Sequence, residues 1–120
     1  MEGMDPLAVL AESRLLPLLT VRGGEDLLGL ARVLEEEGVG ALEITLRTEK
    51  GLEALKALRK SGLLLGAGTV RSPKEAEAAL EAGAAFLVSP GLLEEVVALA
   101  QARGVPYLPG VLTPTEVERA

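Results

Sequence analysis

Short apolar runs alternate with amphipathic stretches through the middle of the chain, and the runs recur at intervals that fit one strand, one helix and two turns. The candidate strands are Leu15 to Val21, Ala41 to Leu46, Leu63 to Leu65, Phe86 to Ser89 and Val105 to Leu108. Between them the pattern predicts helices over Glu25 to Glu37, Glu49 to Lys60, Pro73 to Glu81 and Leu92 to Arg103. Leu27, Leu30, Ala31 and Leu34 form one helical stripe, and Leu93, Val96, Val97 and Ala100 form another. A further amphipathic turn, Pro6 to Ser13, precedes the first strand and would cover the bottom of the fold or dock on a neighbour.

The punctuation agrees with the periodicity. Gly38, Gly62, Gly83 and Gly104 each stand where a helix hands over to the next strand. Ser72, Pro73 and Glu75 supply a cap, a first-turn proline and the partner of a capping box, and Thr113, Pro114 and Glu116 repeat the pattern.

Five strands joined by helical crossovers make a parallel sheet, either doubly wound or part of a barrel. Polar residues inside the strands favour the barrel, where alternate residues face a lumen that can use them. The expected fold is an α/β, TIM-type (β/α)8 barrel, of which this chain supplies an N-terminal helix and about five βα units within one domain, residues 1–120. A closed barrel needs about 250 residues, against the 120 present. The helix start at Thr113 is followed by about one turn before Ala120, too little for an independent helix. The expectation is a chain cut within the barrel.

Composition narrows the chemistry. Cysteine and histidine are absent, which removes disulfides, thiolate nucleophiles, imidazole bases and most zinc sites. The net charge is −6 and the cations are scattered among glutamates, so nucleic acid is not an expected partner. No apolar run approaches the roughly 18 residues of a membrane span, and the acidic start is unlike a signal peptide. A cytoplasmic protein is expected, with no membrane partner. Asparagine is absent and Gln101 is the single glutamine, a balance that fits adaptation to heat.

On the second strand, period two puts Leu42, Ile44 and Leu46 on the helix side and Glu43, Thr45 and Arg47 on the lumen side. A carboxylate in mid-strand is costly unless it is paired or used for proton transfer, so Glu43 is either an ion-pair partner of Arg47 or an acid–base group. Burial would raise its pKa toward neutrality. Arg47, at the C-terminal strand end where barrel sites gather, could grip a carboxylate or phosphate. The strand ends Gly66-Ala67-Gly68-Thr69, Ser89-Pro90-Gly91 and Pro109-Gly110 open small-residue loops on the same rim.

The segments Leu42-Glu43-Ile44-Thr45-Leu46-Arg47-Thr48, Gly66-Ala67-Gly68-Thr69-Val70, Ser89-Pro90-Gly91 and Pro109-Gly110 together resemble the 2-keto-3-deoxy-6-phosphogluconate (KDPG) aldolases. The likeness runs from about Leu15 to Glu116. It implies a class I aldolase that splits KDPG into pyruvate and glyceraldehyde 3-phosphate through a lysine imine, with no metal or other cofactor, in a homotrimer. By that likeness Glu43 shuttles protons, Arg47 binds the pyruvate carboxylate, Thr69 contacts the substrate and Pro90 lines the pocket. The family's imine-forming lysine lies on a sixth strand and its phosphate site on loops after the seventh and eighth, all past Ala120. Lys50, Lys56, Lys60 and Lys74 fall on or at the ends of helices and read as surface charge. Competing readings are a 4-hydroxy-2-oxoglutarate or 2-keto-3-deoxy-6-phosphogalactonate aldolase, or an inactive half-barrel that assembles through its open edges or binds an oxo acid.

Overall fold

The computed structural model describes residues 16–109. The stretch Pro6 to Ser13 and the cap at Thr113 to Glu116 therefore lie outside the described residues, as does Gly110. The elements run β1 (Leu18–Leu19), α1 (Leu27–Glu36), β2 (Ala41–Thr45), α2 (Lys50–Leu58), β3 (Leu64–Gly68), α3 (Pro73–Ala82), β4 (Phe86–Ser89), α4 (Glu94–Arg103) and β5 (Tyr107–Pro109). All five strands are parallel and lie in the order β1-β2-β3-β4-β5.

That order decides between the two architectures. A doubly wound sheet must reverse its strand order at a switch point. Here every new strand is added on the same side, so all four helices fall on one face. The main core shows this directly: Ala31 of α1, Leu55 and Leu58 of α2, Ala76 and Ala79 of α3 and Val96 of α4 meet Leu42, Ile44, Leu65, Ala67 and Leu87 from the sheet. The opposite face carries a separate small cluster of Ala41, Leu64 and Phe86. The sheet is not closed, because β1 and β5 do not pair within the described residues.

Element boundaries moved where backbone hydrogen bonding overruled side-chain pattern. β1 is two residues long instead of the expected Leu15 to Val21; Pro17 has no N–H to donate, and its carbonyl accepts from Glu43 N–H at 2.9 Å. β3 extends through Gly66, Ala67 and Gly68, which read as a loop in sequence, because β2 pairs with all three and β4 with the first two. Ladder bonds on both sides outweigh the poor strand propensity of glycine. β5 begins at Tyr107 rather than Val105, since Pro106 lends only its carbonyl, to Leu87 N–H at 3.0 Å.

The caps are built as their residue types require. Ser72 Oγ accepts from Glu75 N–H at 3.1 Å, while the Glu75 carboxylate reaches back to Arg71 N–H at 2.8 Å. Gly38, Gly83 and Gly104 have positive φ after their helices, the conformation that favours glycine. Gly62 departs from that device. Its N–H donates to Glu35 Oε1 at 2.8 Å, tying the end of α2 to α1.

Candidate active site

The polar face of the sheet is laid out in levels by β2. Ala41 stands lowest, in the apolar cluster with Leu64 and Phe86. Glu43 is next and only 7% exposed; Thr45 is fully buried, with its Oγ1 2.9 Å from Thr20 Oγ1 of the β1 edge. Strand alternation thus places Glu43 and Thr45 on the lumen side, with Leu42, Ile44 and Leu46 in the core beneath the helices.

The Glu43 carboxyl group has no hydrogen bond or ion pair among the described residues. Burial disfavours its charged form and raises its pKa, and the Arg47 guanidinium opposes this with a smaller effect. A structural Glu43–Arg47 ion pair is not formed. What remains is a carboxyl group kept protonated to higher pH than usual by partial burial, with its oxygens still open to the lumen, which suits an acid–base group.

Arg47 lies beyond the reach of strand alternation. β2 stops at Thr45, the chain bends, and Arg47 emerges exposed at the rim. There it lines a cleft of about 420 Å³ with Thr48, Glu49, Arg71 and Lys74, between the starts of α2 and α3. Glu43 is not part of that cleft. Arg47 thus overlooks the lumen mouth electrostatically while its side chain borders a second, outward-facing hollow.

Thr69 has φ +58°, the left-handed region, where a β-branched residue is strained. Left-handed backbone of this kind costs about 1–3 kcal/mol and persists where the surroundings impose it. The constraint comes from both flanks: Gly68 carbonyl accepts from Leu46 N–H at 2.8 Å, and Val70 N–H donates to Val88 carbonyl at 3.0 Å. Thr69 is half-buried, and its hydroxyl has no partner among the described residues. It is therefore free to meet a ligand.

Pro90 is exposed in the loop after β4. Ser89 anchors one side of that loop by donating from Oγ to Val70 carbonyl at 2.7 Å. The other side hangs on Tyr107, whose hydroxyl donates to Gly91 carbonyl and accepts from Leu93 N–H, each at 3.2 Å.

Sequence reasoning missed Thr20, Tyr107, Arg71 and Lys74 as neighbours of the site. Alternation along the first strand could have put Thr20 on the lumen side; nothing local marked Tyr107 as a latch. The four described lysines are exposed and stand on or just after helices, away from the lumen face, as expected. Among the described residues no cluster of histidine, cysteine and carboxylates is arranged to hold a metal, and no helix is long and apolar enough to cross a membrane.

A one-directional parallel βα repeat, with Glu43 as the buried carboxyl group among its described residues, has the organisation of part of a (β/α) barrel, a class of fold whose functional groups gather at the C-terminal strand ends. Comparison with known proteins is specific. The sequence model of the KDPG and KHG aldolase family matches residues 7–120. A 2-dehydro-3-deoxy-phosphogluconate aldolase of Treponema pallidum is 44% identical over 109 residues, covering 89% of this chain and 52% of the relative. The crystal structure of a 4-hydroxy-2-oxoglutarate/2-dehydro-3-deoxyphosphogluconate aldolase from TTHB1 is 99% identical, with a TM-score of 0.93 over 98% of this chain and 59% of the other. A Legionella pneumophila KDPG aldolase, captured with pyruvate as a covalent carbinolamine, is 36% identical, with a TM-score of 0.84 over 97% of this chain and 57% of that one. The chain belongs to the KDPG and KHG aldolase family. It spans about half the length of the curated relatives it matches.

Proposed function

We propose that this chain supplies the acid–base and carboxylate-binding wall of a class I aldolase that splits KDPG into pyruvate and glyceraldehyde 3-phosphate. The observation that carries the reading is Glu43, buried below the C-terminal rim with its carboxyl group unpaired among the described residues and its pKa raised, with Thr69 and Arg47 at the strand ends above it, in a chain of this family. In the proposed reaction an imine between a lysine and the substrate keto group serves as the electron sink. Glu43 as carboxylate takes the proton of the C4 hydroxyl, the C3–C4 bond breaks, the aldehyde leaves and the electron pair moves to the imine nitrogen. Glu43 then returns its proton to C3, leaving the pyruvate imine for hydrolysis. Arg47 holds the substrate carboxylate, Thr69 offers its free hydroxyl to the substrate and Pro90 shapes the mouth.

The lysine belongs to further strands of an eight-stranded barrel that this chain does not contain, since its four lysines lie on the helix side. The same proposal takes the working protein as a cytoplasmic homotrimer. The near-identical relative's double name favours one second reading, a 4-hydroxy-2-oxoglutarate aldolase using the same residues.

Borohydride reduction in the presence of pyruvate tests the reading by mass spectrometry. The 120-residue chain alone is expected to gain no adduct, and an adduct on Lys50, Lys56, Lys60 or Lys74 would overturn the division of labour. The protein extended to the length of its relatives is expected to trap pyruvate on a lysine past Ala120. In that protein Glu43→Gln should slow cleavage about 10²- to 10⁴-fold, the usual worth of a positioned acid–base group. Absence of trapping in the extended protein would remove the aldolase reading altogether.

A further inference from the structure

Glu43 is rooted on β2, yet its carboxyl group lies over β3. A Cβ built on Gly68 would stand 2.0 Å from Glu43 Oε2, 2.7 Å from its Cδ and 3.0 Å from its Cγ. In the register Glu43 is opposite Gly66 and Thr45 is opposite Gly68, so the side chain runs diagonally up the sheet to the next level. The lower position is closed to it. A Cβ at Gly66 would meet the Phe86 ring at 2.1 to 2.6 Å, so that space already belongs to a fully buried aromatic side chain.

No hydrogen bond or ion pair among the described residues holds the carboxyl group there, which leaves the space over Gly68 as the feature that admits it. Thr45, one level up on β2, is tethered instead to Thr20. We infer that Gly68 is a positioning residue for Glu43: its missing side chain is the socket that holds the carboxyl group over β3, one residue from Thr69. The inference rests on the acid–base role proposed for Glu43. Gly68 has no left-handed backbone, so alanine there adds a Cβ and imposes no backbone strain.

The charged group that acts on Glu43 among the described residues is Arg47, above it at the rim. β3 offers only glycine at the two facing levels, β4 contributes Phe86, β1 sets the apolar Leu18 opposite Glu43, and the neutral Thr20 just after β1 stands beside Thr45. Moving the carboxyl group off Gly68 pushes it toward the open mouth, into water and toward that cation. Both changes favour the ionised form.

The test follows the Glu43 carboxyl carbon by ¹³C NMR titration in the 120-residue chain, with Glu43→Gln identifying the resonance. Gly68→Ala should lower the Glu43 midpoint by roughly half a pH unit or more. An unchanged midpoint would overturn the inference. A wild-type midpoint at the ordinary glutamate value would instead sink the proposed acid–base role, so the two failures are separable. If Gly68→Ala does not fold, the Glu43→Ala/Gly68→Ala double variant decides, since the three atoms nearest the added methyl all belong to the Glu43 side chain and are absent from it. Folding of the double variant sustains the socket, and its failure overturns it. In the protein extended to the relatives' length, Gly68→Ala should lower kcat tenfold to about a hundredfold with KM unchanged; a change in KM alone would overturn a positioning role.

Discussion

Gly66→Ala puts the packing of the lumen floor to a quantitative test. The new Cβ would stand 2.1 Å from Phe86 Cε2, 2.2 Å from Cζ and 2.6 Å from Cδ2. Carbon atoms pack at about 3.5–4.0 Å, so the ring must retreat by on the order of 1.5 Å. It has little room to do so, being fully buried with Ala41 and Leu64 in the same cluster. Overpacking of this kind costs about 1–3 kcal/mol. The gain from restricting the unfolded chain returns only about 0.4–1 kcal/mol. The net expectation is a loss of about 1–2 kcal/mol, read from urea unfolding followed by circular dichroism, since the protein has no tryptophan. The decisive comparison is Gly66→Ala in a Phe86→Leu background. Leucine lacks the two ring atoms struck hardest, so there the alanine should become neutral or stabilising, and the non-additivity measures the contact. If Gly66→Ala is neutral in the wild-type protein, or equally harmful in both backgrounds, the ring does not occupy the glycine's space and the layered account of the lumen fails.

Two other outcomes follow from the same face of the sheet. Because burial raises the Glu43 pKa, the folded protein holds that proton to higher pH than the unfolded chain, whose midpoint is near the ordinary 4.5; stability should therefore fall as pH rises from 4.5 through the folded midpoint and then level off. Glu43→Gln should abolish that slope in pH-dependent urea unfolding, and an identical slope would exclude Glu43 as its source. Thr69→Gly relieves left-handed strain worth about 1–2 kcal/mol and adds unfolded-state freedom worth about 0.4–1 kcal/mol. A rise in thermal midpoint is expected, together with weaker substrate binding in the extended protein, and a fall would show that the Thr69 side chain is itself a stabilising contact.

Much of the site was legible in the chain because strand alternation is a local rule. Glu43 and Thr45 share a face since they are two residues apart in a strand, whatever lies beside them. The rule lapsed two residues later: β2 ends at Thr45, and Arg47 turned out to the rim cleft with Arg71 and Lys74. Glycines posed the opposite difficulty. Gly66 and Gly68 have no side chain to read, and their meaning lies in what enters the space they leave, a ring from β4 and a carboxyl group from β2.

The sequence by itself determined the βα alternation, the side of β2 that carries polar groups, the capping of α3 and the family likeness, because each depends on residues near one another in the chain or on the order of short segments. Only the tertiary structure decided the sequential strand order, the strain at Thr69, the Tyr107 latch and the reach of Glu43 across β3. These depend on which strands become neighbours and in what register, and a register shift of one residue would turn every such contact to the other face.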